Sequence, residues 1–184
     1  PVRRRAELIE EYKRRFASPW VAAERGDVDD VIDPADTRVK LIAGLDVLRK
    51  SPKCDPEKTA AIGYCFGGST ALQLAYSGSD LKAVATFHAA LPAASSSEAA
   101  EIQPELLICH GADDPFVPAE QIAAFKQPLE EAGVELTFVS YPGARHSFTV
   151  PTADEVGLDG LQYNEAADKA SWQAMRELFQ RQLK

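Results

Sequence analysis

Basic residues are in the minority in this sequence, and long apolar runs are missing. Lys and Arg number 20 against 28 Asp and Glu, which gives a formal net charge of −8. Because nucleic acids and anionic membrane surfaces attract basic proteins, we expect neither as a partner. No apolar run approaches the roughly 20 residues of a membrane-spanning helix. The charged start around Arg3 to Arg5 also predicts no secretory signal.

Cysteine is scarce as well. Cys54, Cys65 and Cys109 are an odd number, without the spacing of a disulfide framework. This usage is typical of a reducing compartment, and we expect a cytoplasmic location.

Metal-binding spacings are also missing. No C-x-x-C or H-x-x-x-H pair accompanies the three histidines, His88, His110 and His146. The sequence therefore predicts no metal site, and we expect no cofactor. Cys109 closes an apolar run and is interpreted as a core residue.

What the sequence does contain is an alternation of apolar runs and helical patterns after residue 50. Four short apolar runs are predicted strands; they lie at Thr59–Tyr64, Leu81–His88, Glu105–Cys109 and Glu135–Tyr141. Helices are predicted between or after them at Gly68–Tyr76, Pro118–Ala132 and Glu165–Gln182. The segment 91–104, rich in Ala and Ser, is interpreted as a loose connection or part of a pocket wall. This alternation predicts an α/β fold with a mostly parallel sheet covered by helices on both faces.

The first predicted strand ends in Gly63-Tyr64-Cys65-Phe66-Gly67-Gly68 and leads directly into a helix. A nucleophile at a sharp strand-to-helix turn is the elbow of α/β-hydrolases, and glycines flank it because side chains would collide there. Cys65 holds the nucleophile position. The structural alternative is a buried free cysteine in a glycine-rich turn.

Two later strands end in residues that suit a catalytic triad. His110-Gly111-Ala112-Asp113-Asp114 follows one strand, and Ala144-Arg145-His146-Ser147-Phe148 follows another. The order of nucleophile, acid and histidine is the order of the α/β-hydrolase fold. The pattern favours a catalytic interpretation of all three loops.

These motifs together resemble the dienelactone hydrolase family over about residues 51–184. The resemblance implies an α/β-hydrolase fold and a triad of Cys65, Asp114 and His146, with Asp113 the less favoured acid. It also implies that the N–H of Phe66 supplies half of an oxyanion hole. The expected activity is hydrolysis of a small-molecule carboxylic ester or lactone through an acyl-enzyme. The archetypal arginine four residues after the histidine is replaced by Val150, so a broad ester or lactone substrate is favoured over a lactone acid.

Arg145 lies beside the histidine motif, and His88 lies at the end of a predicted strand. Arg145 is interpreted as a solvated loop charge. His88 is interpreted either as a pocket-lining residue or as a hydrogen-bonded structural histidine, and the second reading is favoured.

Residues 1–50 resemble a different protein family. The run Ala22-Ala23-Glu24-Arg25-Gly26, continuing through Val28-Asp29-Asp30-Val31-Ile32, resembles the C-terminal end of the carboxyltransferase subunit of acyl-CoA carboxylases such as propionyl-CoA carboxylase. We therefore expect two parts, 1–50 and 51–184, joined near residues 48–53. A helix is predicted from Thr37, with Leu41, Ile42, Leu45 and Leu48 on one face.

The hydrolase-like part contains no counterpart of the N-terminal strands that the resemblance implies. The Thr59–Tyr64 strand is then expected to present an open sheet edge, through which the chain could oligomerise, unless Val28–Ile32 pairs with it. An incomplete site would impair activity. The alternatives are a non-catalytic truncated or fused product, or a carboxyltransferase-related assembly segment.

Overall fold

The computed structural model describes residues 2–16 and 32–184, which fall into two compact units, Pro1–Thr37 and Arg38–Lys184. In the smaller unit, helix α1 spans Val2–Phe16, and Arg4 forms an exposed ion pair with Glu7 at 3.4 Å. A short 3-10 helix follows at Pro34–Asp36. Residues 28–31 of the segment considered for strand pairing lie outside the described residues. The predicted boundary near residue 50 stays a prediction.

The larger unit alternates strands and helices, as the sequence predicts. In chain order its elements are α2 (Thr37–Arg49, whose first residue belongs to the smaller unit), β1 (Ala60–Tyr64), α3 (Phe66–Tyr76), β2 (Ala83–Phe87), α4 (Ser96–Glu101), β3 (Glu105–Gly111), α5 (Ala119–Glu131), β4 (Leu136–Tyr141), a 3-10 turn (Ala153–Val156) and α6 (Glu165–Gln182). The predicted strands and long helices are thereby confirmed to within a few residues. Across residues 2–16 and 32–184, no helix is both long and apolar enough to cross a bilayer.

The four strands form one parallel sheet in the order β1-β2-β3-β4. Ala60 lies opposite Ala83, and Leu106 lies opposite Leu136, so the carboxyl ends of all four strands meet at one edge. Ligand and catalytic sites of open parallel sheets form at that edge, because the loops that follow the strands converge there. The predicted fold class is confirmed.

Strand β1 forms one side edge of the sheet in the described part of the chain. Ile62 and Tyr64 on this strand are partly exposed. The expected open edge is therefore present among the described residues.

Helices cover both faces of the sheet. On one face, alternate strand residues such as Val84, Leu106 and Ile108 pack with α2, α3, α4 and α5. On the other, Phe87 and Leu107, with their face neighbours, pack against α6. This period-2 division follows from the alternation of side chains along a strand, and burial of both faces stabilises the sheet that carries the site.

One helix was not predicted. The segment left as a loose connection contains α4, which begins with a capping box between Ser95 and Glu98. The Glu98 side chain also accepts a hydrogen bond from Arg38 of α2 at 2.9 Å. The S-x-x-E spacing that begins α4 is a recognised helix-start signal and could have revealed it.

Candidate active site

Cys65 lies at the turn between β1 and α3 in a strained conformation. Its φ is 51° and its ψ is −121°, in a region that non-glycine residues rarely occupy. Its backbone N–H donates to the carbonyl of Phe87 at 2.9 Å, which fixes the turn to the neighbouring strand. Strain of this kind costs about 1–3 kcal/mol and is typical of functional turns. The turn leaves Cys65 exposed at the carboxyl edge of the sheet.

Two glycines allow the turn to form. A Cβ at Gly63 would lie 2.2 Å from the carbonyl oxygen of Gly67, and one at Gly68 would lie 2.8 Å from the Cβ of Ala89. Both distances are shorter than any ordinary contact, so the turn needs glycine at these positions. A Cβ at Gly67 would meet nothing within 4 Å.

This contrast supplies a matched test. We expect Gly63→Ala to lower the free energy of unfolding by about 3 kcal/mol or more, because the new methyl group must displace backbone. Gly67→Ala, a Gly-to-Ala change in the same turn, should alter it by less than about 1 kcal/mol. Urea titration followed by circular dichroism measures both. Equal stability of the two variants would contradict the close packing of this turn.

His146 bridges the cysteine and an aspartate. Its Nε2 lies 3.2 Å from Cys65 Sγ, and its Nδ1 lies 2.8 Å from Asp114 Oδ2. The three side chains come from three separate turns, after β1, β3 and β4. The structure therefore brings together the three residues predicted from sequence, at distances expected of a nucleophile, a base and the group that orients the base.

Asp114 is held firmly on its own side. Its other oxygen, Oδ1, accepts a hydrogen bond from the backbone N–H of Phe116 at 2.9 Å, and its side chain is 0% exposed. The neighbouring Asp113 is exposed, and its backbone N–H donates to the carbonyl of Ala144. Only Asp114 of the two reaches His146, in agreement with the favoured assignment.

The loop that carries His146 is fixed by backbone contacts. The N–H of His146 donates to Gly160 at 3.0 Å, and its carbonyl accepts from Gln162 at 3.1 Å. On the other side, a Cβ at Gly111 would lie 2.6 Å from the carbonyl of Ala144, so the end of β3 approaches this loop closely. The end of β3, which leads to Asp114, therefore packs directly against the loop that carries His146.

The contact between His146 and Asp114 favours the charged form of both side chains. The hydrogen bond that His146 donates to Asp114 raises the pKa of His146, and the contact with Cys65 raises it further against the opposing effect of burial. Burial opposes ionisation of Asp114, but the hydrogen bonds from His146 and Phe116 outweigh it, so the pKa of Asp114 lies below its usual value. Asp114 is then ionised, Nδ1 of His146 carries the hydrogen, and Nε2 faces the thiol.

Phe66 is the first residue of α3, directly after Cys65. The first N–H groups of a helix have no partner within the helix, and the helix dipole makes that end favourable for negative charge. Phe66 itself is 76% exposed.

The remaining histidines and cysteines lie elsewhere. Cys109 is buried as predicted; burial raises its pKa to about 11, against the hydrogen bond that it accepts from Tyr141. Cys54 lies in a turn after α2 and is partly exposed. His110 is buried in β3, and burial lowers its pKa. No group of three or more potential metal ligands occurs within residues 2–16 and 32–184.

Two surface depressions flank the Cys65–His146–Asp114 cluster. One, of about 550 Å³, is lined by Tyr64, Thr149, Val150, Asp168, Lys169 and Trp172. The other, of about 520 Å³, is lined by Asp113, Pro115, Phe116, Arg145, Asp159 and Gly160. A larger depression of about 870 Å³ is lined by residues within 176–184, in the last turns of α6 and just after it. We regard the first two as the relevant ones because they share loops with the cluster.

The parallel sheet, with helices on both faces and a strained cysteine turn at its carboxyl edge, defines the α/β-hydrolase class. Within that class, the chain belongs to the dienelactone hydrolase family, whose family model matches residues 14–183. The match begins earlier than residue 51, where the sequence resemblance was expected to start.

Solved structures agree with this assignment. A structure named m3DLH is 43% identical in sequence, with a TM-score of 0.78 over 82% of this chain and 62% of its own. A dienelactone hydrolase-like promiscuous phosphotriesterase, P91 from metagenomic libraries, is 41% identical, with a TM-score of 0.78 over 83% of this chain and 64% of its own. The chain thus spans less than two thirds of each.

The second resemblance is also confirmed. The carboxyltransferase subunit of propionyl-CoA carboxylase from Haloferax mediterranei is 57% identical over 58 residues, which is 32% of this chain and 11% of that protein. The match is strong but covers a small fraction of the carboxylase subunit.

Proposed function

We propose that this chain hydrolyses carboxylic esters or lactones by a covalent acyl-enzyme mechanism, with Cys65 as nucleophile, His146 as general base and acid, and Asp114 as the residue that orients His146. The observation that carries this proposal is the imidazole of His146, which lies at 3.2 Å from the thiol and 2.8 Å from a buried carboxylate. Membership of the dienelactone hydrolase family supports a hydrolase.

In the first step, His146 Nε2 takes the thiol proton and Cys65 Sγ attacks the ester carbonyl carbon. The C=O pair moves onto oxygen and forms a tetrahedral oxyanion. As this intermediate collapses, the C–O bond to the alcohol breaks and His146 returns its proton to the leaving oxygen. A thioester on Cys65 and a free alcohol result.

In the second step, His146 takes a proton from water, and the hydroxide attacks the thioester carbonyl. The C–S bond breaks, the sulfur recovers the proton from His146, and a carboxylic acid leaves. Asp114 stabilises the imidazolium that forms in each step without itself becoming protonated.

Stabilisation of the oxyanion is assigned to the backbone N–H of Phe66 at the start of α3. Each donor of this kind typically contributes about 10²–10³ in rate. The positive end of the helix dipole also favours the negative charge that develops on the oxyanion.

The substrate is proposed to be an uncharged ester or lactone. Val150 occupies the position four residues after His146, and Arg145 is exposed at the rim of the second depression. The flanking surface instead offers Tyr64, Val150 and Trp172, which suit an apolar substituent. Because the thiol must stay reduced, we place the activity in the cytoplasm.

The test is a pre-steady-state reaction with 4-nitrophenyl acetate. We expect an initial burst of 4-nitrophenol, equal to the active protein concentration, followed by slower turnover as the thioester is hydrolysed. A trace without a burst and without turnover would instead support the non-catalytic alternative. The assembly role of the carboxyltransferase-like segment remains a separate prediction from sequence.

A further inference from the structure

His88, which directly follows β2, is fully buried beside the proposed catalytic histidine. It is 1% exposed, and its backbone N–H donates to the carbonyl of Cys109 at 2.9 Å. Its φ of 41° is in the left-handed region that side chains rarely adopt. The backbone here is strained, as it is at Cys65.

The ring of His88 contacts the ring of His146. The two centroids are 5.1 Å apart and the rings meet edge to face at 63°. Phe116 makes a second contact of this kind with His146, at 5.4 Å and 90°. Edge-to-face contacts favour one ring orientation over others, so the two neighbours restrict rotation of the imidazole.

A hydrogen bond joins His88 to the loop that carries His146. His88 Nε2 lies 2.9 Å from the hydroxyl oxygen of Thr149, three residues after His146 in the same loop. This bond fixes the loop to the end of β2, one strand away from Cys65. It therefore links the histidine loop to the sheet independently of Asp114.

The histidine at this position has a cost that an apolar side chain would avoid. His88 Nδ1 is buried and has no hydrogen-bond partner in the described part of the chain. A buried unpaired polar atom typically costs about 1–3 kcal/mol. A cost of this size, together with the strained backbone, indicates a role beyond packing.

We propose that His88, through its ring contact with His146 and its hydrogen bond to Thr149, is a positioning residue that holds the His146 imidazole in line with Cys65 and Asp114. This inference rests on the proposed function, since it assigns a role toward the same general base.

The charge state of His88 suits this role. Burial, together with the proximity of His146, lowers its pKa to about 4, so the ring is neutral near pH 7. A neutral ring can contact the imidazolium of His146 without repelling it. The other titratable groups around the pair are Tyr64 at the end of β1, Cys65 directly after it, His110 in β3, Asp114 after β3, and Asp168 on α6.

The experiment measures the rate of Cys65 carbamidomethylation by iodoacetamide as a function of pH, by peptide mass spectrometry, with Cys54 as the internal reference thiol. Thr149→Val removes the hydroxyl and keeps the shape, while Thr149→Ser restores the hydroxyl. His88→Leu and His88→Gln form a second pair, since glutamine can still bond to Thr149. Thr137→Val, on the exposed surface of β4, controls for the Thr-to-Val change.

We expect Thr149→Val and His88→Leu to slow Cys65 alkylation at about pH 6 by roughly tenfold, because a freely rotating imidazole takes the thiol proton less well. Thr149→Ser, His88→Gln and Thr137→Val should remain within about threefold of wild type.

The possible results of this experiment distinguish the proposed function from the positioning role of His88. If wild-type Cys65 reacts no faster than Cys54 below pH 7, the proposed function fails together with this inference. If wild-type Cys65 is reactive and Thr149→Val lowers only the melting temperature, the proposed function stands and the positioning role is overturned. Should His88→Leu fail to fold, the Thr149 pair decides alone.

Discussion

Cys65→Ala is expected to abolish the burst of 4-nitrophenol and to lower steady-state turnover by at least about 10⁴-fold, because no other group in the proposed mechanism can carry the acyl intermediate. The residual rate would come from the N–H of Phe66 and from substrate binding. Stopped-flow absorbance measures burst and turnover in one trace. The variant should fold normally, since Cys65 is exposed and alanine removes a single sulfur.

Cys54→Ala is the matched control for this result. Cys54 also lies in a turn and is partly exposed, where its thiol is 3.6 Å from the carbonyl of Asp55. The control should keep the full burst. Cys109 is unsuitable because it is buried in the core between sheet and α6. A burst that persists in Cys65→Ala would exclude Cys65 as the nucleophile.

Asp114→Asn should lower turnover by about 10⁴-fold, because asparagine can donate to Nδ1 and hold the wrong imidazole tautomer toward the thiol. The loss should be large here because the Asp114 carboxylate is fully buried and accepts from both His146 and the Phe116 N–H. Measurement of kcat/KM with 4-nitrophenyl acetate, with circular dichroism to confirm the fold, gives the effect.

Asp113→Asn makes the same chemical change one residue earlier, at an exposed side chain. It should leave kcat/KM within about twofold of wild type, since surface substitutions of this kind are usually nearly neutral. If Asp113→Asn lost the activity and Asp114→Asn kept it, the assignment of the acid would be reversed. If both kept it, the carboxylate would have no catalytic role.

The strands and the candidate catalytic residues could be predicted because both depend on local patterns. Apolar runs alternate with helical patterns after residue 50, and this alternation alone places the strand ends at one edge. The resemblance to the dienelactone hydrolase family also favoured Asp114 over Asp113, and Asp114 contacts His146 at 2.8 Å. Chain order then supplied the pairing of nucleophile, acid and histidine.

The contacts between distant segments could not be predicted in the same way. The collision of a Gly63 Cβ with Gly67 depends on the exact angle of the turn. The ring contact of His88 with His146 and its hydrogen bond to Thr149 join strands that are far apart in sequence. The interpretation of His88 as a hydrogen-bonded structural histidine agrees with its burial and its bond to Thr149. A lone histidine at a strand end carries no periodic pattern, so nothing local indicates that its partner lies in the loop of His146.

The boundary between the two resemblances shows a different limit. A carboxylase subunit matches 58 residues at 57% identity, while the hydrolase family model already begins at residue 14. Sequence similarity alone does not fix the boundary of a folded unit. The contacts between residues place Arg38–Lys184 in the same compact unit as the sheet. Leu45 of α2 packs into the core on one face of the sheet. The sequence pattern predicted an apolar face on this helix but not the surface against which it packs.

The most direct test is mass spectrometry of the protein after acid quenching during the reaction with 4-nitrophenyl acetate. We expect one acetyl group per chain, located on the peptide that contains Cys65 and lost on incubation with water. An acetyl group found only on lysines or on Cys54, or a Cys65 peptide that stays unmodified while 4-nitrophenol is released, would contradict it.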